Sequence, residues 1–140
     1  MSNYQTATLR ASAATSGTSE QDAAVTLPET VNEMWVFCQK TAEANADNLL
    51  TVRLQCQVNS VWFDVSWDSI TPTVATGTAA DSAAIVVRTP NIVESDSSAT
   101  FTVLVHYKEL PSNVVRVASI SSGTTPANTF SVVATFMAQR

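Results

Sequence analysis

The feature that most constrains the fold is residues 49–68, where apolar and polar side chains alternate. In the first half, every second residue is apolar and would share one face of a strand: Leu50, Val52, Leu54, Cys56 and Val58. A period of two is the pattern of a β-strand with one buried face. Asn59-Ser60 interrupts the pattern, and a second alternating run follows over 61–68. The stretch therefore predicts a β-hairpin at the centre of an all-β domain.

Other short apolar or alternating runs lie on both sides of this hairpin and predict further strands. These runs are 23–27, 31–41, 84–89, 101–108, 114–120 and 129–137. The segments between them are polar, and we interpret 71–83 as a long loop and 91–98 as a connection. About eight strands joined by short turns, with no convincing amphipathic helix, predict a single antiparallel β-sandwich or jelly-roll-like domain.

The beginning of the chain is polar and rich in small residues. We predict that residues 1–22 form an extended N-terminal arm, or a short strand near 4–11 followed by a flexible segment, ahead of a β-sandwich domain over 23–140. Two interpretations of the arm stay open, a disordered leader and an arm that orders against a neighbouring chain. Tyr4 and Leu9 would give such an arm apolar side chains to bury.

Composition and charge exclude several classes of function. The net charge is −5 and the seven Lys and Arg residues are scattered, so direct nucleic-acid binding is not expected. No apolar run approaches the length of a membrane span, and the N-terminus does not resemble a secretory signal, so we expect synthesis in a cytoplasm. Charged residues are only 14% of the chain. Low charge and many hydroxyl groups suit extended β-structure and large static assemblies.

Residues with catalytic or ligand-binding chemistry are few and separated. His106 is the only histidine and lies in a predicted strand without a metal-ligand or nucleophile motif. Cys38 and Cys56 are expected to be buried free thiols, with a disulfide as the less favoured alternative. Asp64 and Asp68 would be about 13 Å apart on a strand, too far for an acid–base pair, and are expected to be solvated. We therefore predict no catalytic residue, no cofactor and no metal site, and we do not expect an enzyme.

The tryptophans suggest a surface for recognition. Trp62 alternates onto the same face as Asp64, so it is expected to be partly exposed. Exposed aromatic rings can stack on sugars, but burial at a subunit interface is favoured because interfaces are rich in tryptophan and poor in charge. The interface candidates are Tyr4, Leu9, Trp35 and Trp62.

Three segments resemble a family of small β-sandwich virion proteins of tailed phages, the capsid decoration or cement proteins. The segments are LLTVRLQCQV (49–58), VWFDVSWDSITP (61–72) and VVRVASISSGTTPANTFSVVATF (114–136). In that family, an alternating strand leads into a Trp-containing strand near a Thr-Pro loop, and an Arg-Val strand precedes a Ser-Gly-Thr loop and a final Phe-Ser-Val strand. The resemblance covers about residues 23–137. The family usually has an Asp-Gly turn where this chain has Asn59-Ser60.

The resemblance implies a structural virion protein that binds the outer surface of a phage head and stabilises it. The implied partners are the major capsid protein and further copies of the chain, with a homotrimer favoured. The implied location is the capsid surface of the virion, after synthesis in the host cytoplasm. The alternative is a carbohydrate- or receptor-binding β-sandwich module of a phage tail.

Overall fold

The computed structural model describes residues 4–28, 31–65, 73–74, 91–107 and 110–138. These residues form strands and turns, and they confirm the predicted all-β class. The strands are β1 (Tyr4–Ala14), β2 (Ser19–Gln21), β3 (Val25–Thr26), β4 (Val31–Glu43), β5 (Leu49–Val58), β6 (Val61–Asp64), β7 (Thr73–Val74), β8 (Asn91–Asp96), β9 (Phe101–Tyr107), β10 (Val114–Ser122) and β11 (Asn128–Ala138). No helix long and apolar enough to cross a membrane occurs in the described part of the chain.

The strands form two antiparallel sheets. The smaller sheet has four strands in the order β1-β11-β4-β9. The larger sheet has the order β2-β10-β5-β6-β7, with β3 paired to β10 and β8 paired to β5. Apolar side chains from both sheets form one buried cluster between them. This arrangement is the predicted sandwich.

The predicted central hairpin is confirmed as β5 and β6. Asn59 and Ser60 have φ angles of 54° and 66°, and positive φ at both turn residues is the requirement of a two-residue type I′ hairpin. The register pairs Val58 with Val61 across the turn. Four of the five predicted core residues of β5 are fully buried, namely Leu50, Val52, Leu54 and Cys56. The fifth, Val58, is 37% exposed and lies at the turn end of the hairpin, directly before Asn59.

The two cysteines lie on opposite sheets and are buried free thiols, as predicted. Cys38 is on β4 and Cys56 is on β5, and both side chains belong to the core. Burial disfavours the charged thiolate and raises the pKa of each thiol to about 12. Both cysteines therefore act as small apolar core residues rather than nucleophiles.

The N-terminal segment is part of the sandwich of its own chain. Strand β1 pairs with β11 from Tyr4 opposite Met137 to Ala14 opposite Thr129, with irregularities near Arg10. The segment that was predicted to be flexible after this strand contains β2, which pairs with β10. The segment thus adds an edge strand to the smaller sheet and a short strand to the larger one.

Two sequence-based expectations about loops are corrected. The predicted connection over 91–98 contains strand β8, which pairs with β5. Its apolar residues Ile92 and Val93 are buried, and the polar residues that follow them obscured the strand in the sequence. The predicted loop over 71–83 contains the two-residue strand β7, paired with β6. The predicted strand at 84–89 and the residues Trp67 and Asp68 lie outside the described residues.

Two buried cations connect parts of the sandwich. Arg10 donates hydrogen bonds to Glu20 and Asp22, at 2.7 and 2.6 Å, so it joins β1 to the segment that runs along the larger sheet. Lys40, which is 1% exposed, donates to Glu43 and to the carbonyl of Ser98, both at 2.8 Å. Each of these cations is therefore neutralised by acidic groups of its own chain.

Candidate interaction surface

The outer face of the four-stranded sheet carries a continuous block of apolar side chains. The cross-strand register places Phe37 of β4 between Val133 of β11 and Leu104 of β9. Neighbouring rows of the same face contain the remaining apolar members, Tyr4, Trp35 and Met137. We call these six residues the apolar outer face.

The larger side chains of this face are exposed although they are apolar. The exposed fractions are 58% for Leu104, 48% for Tyr4, and 38% for both Trp35 and Phe37. Four strands about 4.8 Å apart, and a strand length of about 14 Å from residue 33 to residue 37, give a sheet face of roughly 270 Å² in projection. Monomeric proteins expose contiguous apolar patches of up to a few hundred Å², and the largest of them are often functional.

The apolar outer face carries little charge. Among the described residues in its rows, the ionisable side chains apart from Tyr4 are Glu33 and His106. His106 Nε2 lies 2.8 Å from Glu33 Oε1, and its ring lies 4.4 Å from that of Trp35, measured between centroids. The histidine thus has a carboxylate partner on the neighbouring strand. Threonines 6, 8 and 135 supply further uncharged polar groups beside the apolar residues.

The structure separates the four interface candidates predicted from the sequence. Tyr4 and Trp35 lie on the apolar outer face. Leu9 is only 3% exposed and belongs to the core, because β1 packs into the sandwich of its own chain. Trp62 lies on β6, in the other sheet. The candidates therefore do not form one site.

Four members of the face were not singled out from the sequence, namely Phe37, Leu104, Val133 and Met137. Alternation along residues 101–108 places Leu104 on the side of the strand that faces away from the core. This alternation could have predicted that Leu104 is exposed. The pairing of β9 with β4, which brings Leu104 beside Phe37, has no signature in the sequence.

Trp62 belongs to a second group of polar and aromatic side chains, which we call the Arg116 cluster. The guanidinium carbon of Arg116 lies 4.2 Å from the centre of the Trp62 ring. Arg116 Nε donates to Gln55 Oε1 at 2.7 Å, and Gln55 Nε2 donates to Asp64 Oδ1 at 2.9 Å. Arg53 donates to the other oxygen of Asp64 at 2.9 Å.

The expectation that Asp64 is solvated was wrong. Its side chain is 6% exposed, because it lies between Gln55 and Arg53 on the sheet. Burial raises the pKa of the Asp64 carboxyl, and the hydrogen bonds from Gln55 and Arg53 oppose this shift. The acid therefore holds the Arg116 cluster together.

Among the residues that the structure describes, no group of three histidine, cysteine or acidic side chains is placed to hold a metal ion. One face of the Trp35 ring contacts His106, and one face of the Trp62 ring contacts Arg116. Each ring thus offers a sugar at most its other face.

No protein-family model, no curated protein and no solved structure matches this chain.

Proposed function

We propose that the protein is a structural virion component, a capsid decoration protein, and that it binds a phage head through the apolar outer face. The observation that carries this proposal is the continuous, nearly uncharged block around Phe37 and Leu104. The sequence resemblance supplies the class of assembly. An apolar, charge-depleted patch is the composition found at the centre of protein interfaces.

We assign the apolar outer face to the major capsid protein rather than to another copy of the chain. The resemblance implies a homotrimer, and a trimer closed by a three-fold axis packs two different surfaces of each subunit together. One flat face therefore does not pair with itself in such a trimer. The face stays available for the shell.

The size of the face fits binding as part of an oligomer. Its projected area of roughly 270 Å² is smaller than the ~800 Å² that each partner contributes to a standard interface. Three linked copies would present three such faces, so the effective concentration of the second and third contacts is high. A protein that binds the assembled shell and not its separated subunits stabilises the shell by mass action.

The experiment that tests this assignment is hydroxyl-radical footprinting on phage heads prepared without the protein and then saturated with it. We expect oxidation of Trp35, Phe37 and Leu104 to fall when the protein binds. Val61 and Ile120 are also exposed apolar residues but lie on the other sheet, so they serve as internal controls. Protection of Val61 and Ile120 without protection of Phe37 and Leu104 would overturn the assignment.

The tail-module alternative needs an aromatic platform for a sugar ring. Trp35 and Trp62 each have one ring face in contact with a side chain of their own chain. This geometry favours the decoration proposal over the carbohydrate-binding one.

A further inference from the structure

The cations of the described residues differ in how fully they are neutralised. Arg10 and Lys40 are buried, and each is paired with acidic side chains of its own chain. Arg53 and Arg116 instead lie on the outer side of the larger sheet, where Arg53 is paired with Asp64 and Arg116 reaches the same carboxylate through Gln55. The described side chains of the Arg116 cluster contain two guanidinium groups and one carboxylate, a sum of +1, on a chain whose net charge is −5.

The guanidinium of Arg116 is held in place on two sides. The Trp62 ring packs against its flat face, and its Nε is tied to Gln55. Gln55 is 2% exposed and is itself fixed by Asp64, so the anchor is rigid. The three strands that carry these residues, β10, β5 and β6, are neighbours in one sheet. The two terminal amino groups of Arg116 have no hydrogen-bond partner among the described residues.

We propose that the Arg116 cluster is a binding site for a carboxylate group of a protein partner. A guanidinium presents parallel N–H groups that match the two oxygens of a carboxylate, and such paired, charge-assisted hydrogen bonds are among the strong ones. Because Trp62 and Gln55 already fix the guanidinium, little side-chain freedom is lost on binding.

The charge of the whole chain selects a carboxylate over a polyanion. Twelve acidic residues against seven basic ones repel nucleic acid and anionic membranes, which need many cations at once. A single carboxylate needs only the local excess of positive charge at Arg116 and Arg53. The site itself does not depend on the proposed function, because the carboxylate of any acidic protein side chain has the chemistry that it recognises, and shell binding is assigned to the apolar outer face instead.

The test is an NMR titration of the ¹⁵N-labelled protein with glutarate at constant ionic strength. We expect the Nε–H signal of Arg116 and the indole N–H signal of Trp62 to shift together and to saturate with one dissociation constant. Shifts that stay linear and equal those produced by chloride would overturn the proposal. Inorganic phosphate that binds as tightly as glutarate would overturn the choice of a carboxylate.

Two variants distinguish the planar, two-pronged geometry of the Arg116 guanidinium from its positive charge. Arg116→Lys keeps the charge but loses the planar fork, and we expect glutarate to bind at least about tenfold more weakly. Arg116→Gln combined with Ser122→Lys restores the net charge at an exposed position at the end of β10. Full recovery of glutarate binding in this double variant would show that charge alone is sufficient, and would refute the site.

The result of the glutarate titration does not depend on the result of the footprinting experiment. Glutarate binding requires no phage head, so its loss in Arg116→Lys can be measured on the isolated chain. Saturable glutarate binding without protection on heads would remove only the decoration proposal. Protection on heads without glutarate binding would remove only the carboxylate site.

Discussion

Replacement of Phe37 and Leu104 by threonine should weaken binding to the phage head by an amount that follows from their exposed areas. Full burial of a Leu or Phe side chain contributes about 2 kcal/mol. The fractions still exposed in the free protein are 38% for Phe37 and 58% for Leu104. We assume that the shell covers both side chains completely and that threonine makes little of the apolar contact. The binding free energy of one face then weakens by about 2 kcal/mol, which raises its dissociation constant about 25-fold.

The assay is a binding isotherm on phage heads that lack the protein, with bound and free protein separated by sedimentation. Phe37→Thr/Leu104→Thr places β-branched residues, which suit strands, at exposed strand positions, so the fold should change little in stability. The matched control, Val61→Thr/Ile120→Thr, removes two similarly exposed apolar residues from the other sheet. A loss of less than about threefold for the first variant, or an equal loss for the control, would refute the assignment of the apolar outer face.

Three further predictions concern the scaffold that supports these surfaces. Lys40→Met removes the partner of the Glu43 carboxylate, whose side chain is only 11% exposed. We therefore expect the free energy of unfolding to fall by about 3 kcal/mol in a urea titration, with partial recovery in Lys40→Met/Glu43→Gln. Gly123 has φ +130°, which side chains rarely adopt, and an added Cβ would collide with the turn before β5, so Gly123→Ala should lower the urea midpoint by an amount equivalent to at least about 1 kcal/mol. Hydrogen bonds from the hydroxyl and amide of Thr124 lower the pKa of Asp47, so the stabilisation from this carboxylate is present above its unfolded pKa and is lost as pH falls through its lower folded pKa. In Thr124→Val, an NMR titration should show the pKa of Asp47 moving up toward its ordinary value, and an unchanged pKa would contradict this role of the hydroxyl.

The parts of the fold that the sequence predicted are those with strong local patterns. The alternation from Leu50 to Cys56 correctly identified a core strand, because period two alone decides which side chains face inward. The run over 31–41 is apolar on both faces of the strand it forms, and its outward residues Trp35 and Phe37 are both 38% exposed.

The features of the fold that could not be predicted from the sequence depend on contacts between distant segments of the chain. Asp64 is buried because Gln55 and Arg53 surround it, and alternation gives no information about such partners. Leu9 is buried because β1 pairs with the last strand of the chain. The apolar outer face itself needs the pairing of β4 with β9, which joins Phe37 to Leu104 across 67 positions of sequence.

The most direct test of the proposed function is the number of copies of the protein in purified intact virions, measured by quantitative mass spectrometry against the major capsid protein. A decoration protein that covers the shell follows the symmetry of the shell, so we expect on the order of hundreds of copies per particle. Roughly six copies or fewer, the number expected from the symmetry of a tail, would contradict the decoration proposal and favour the tail module instead.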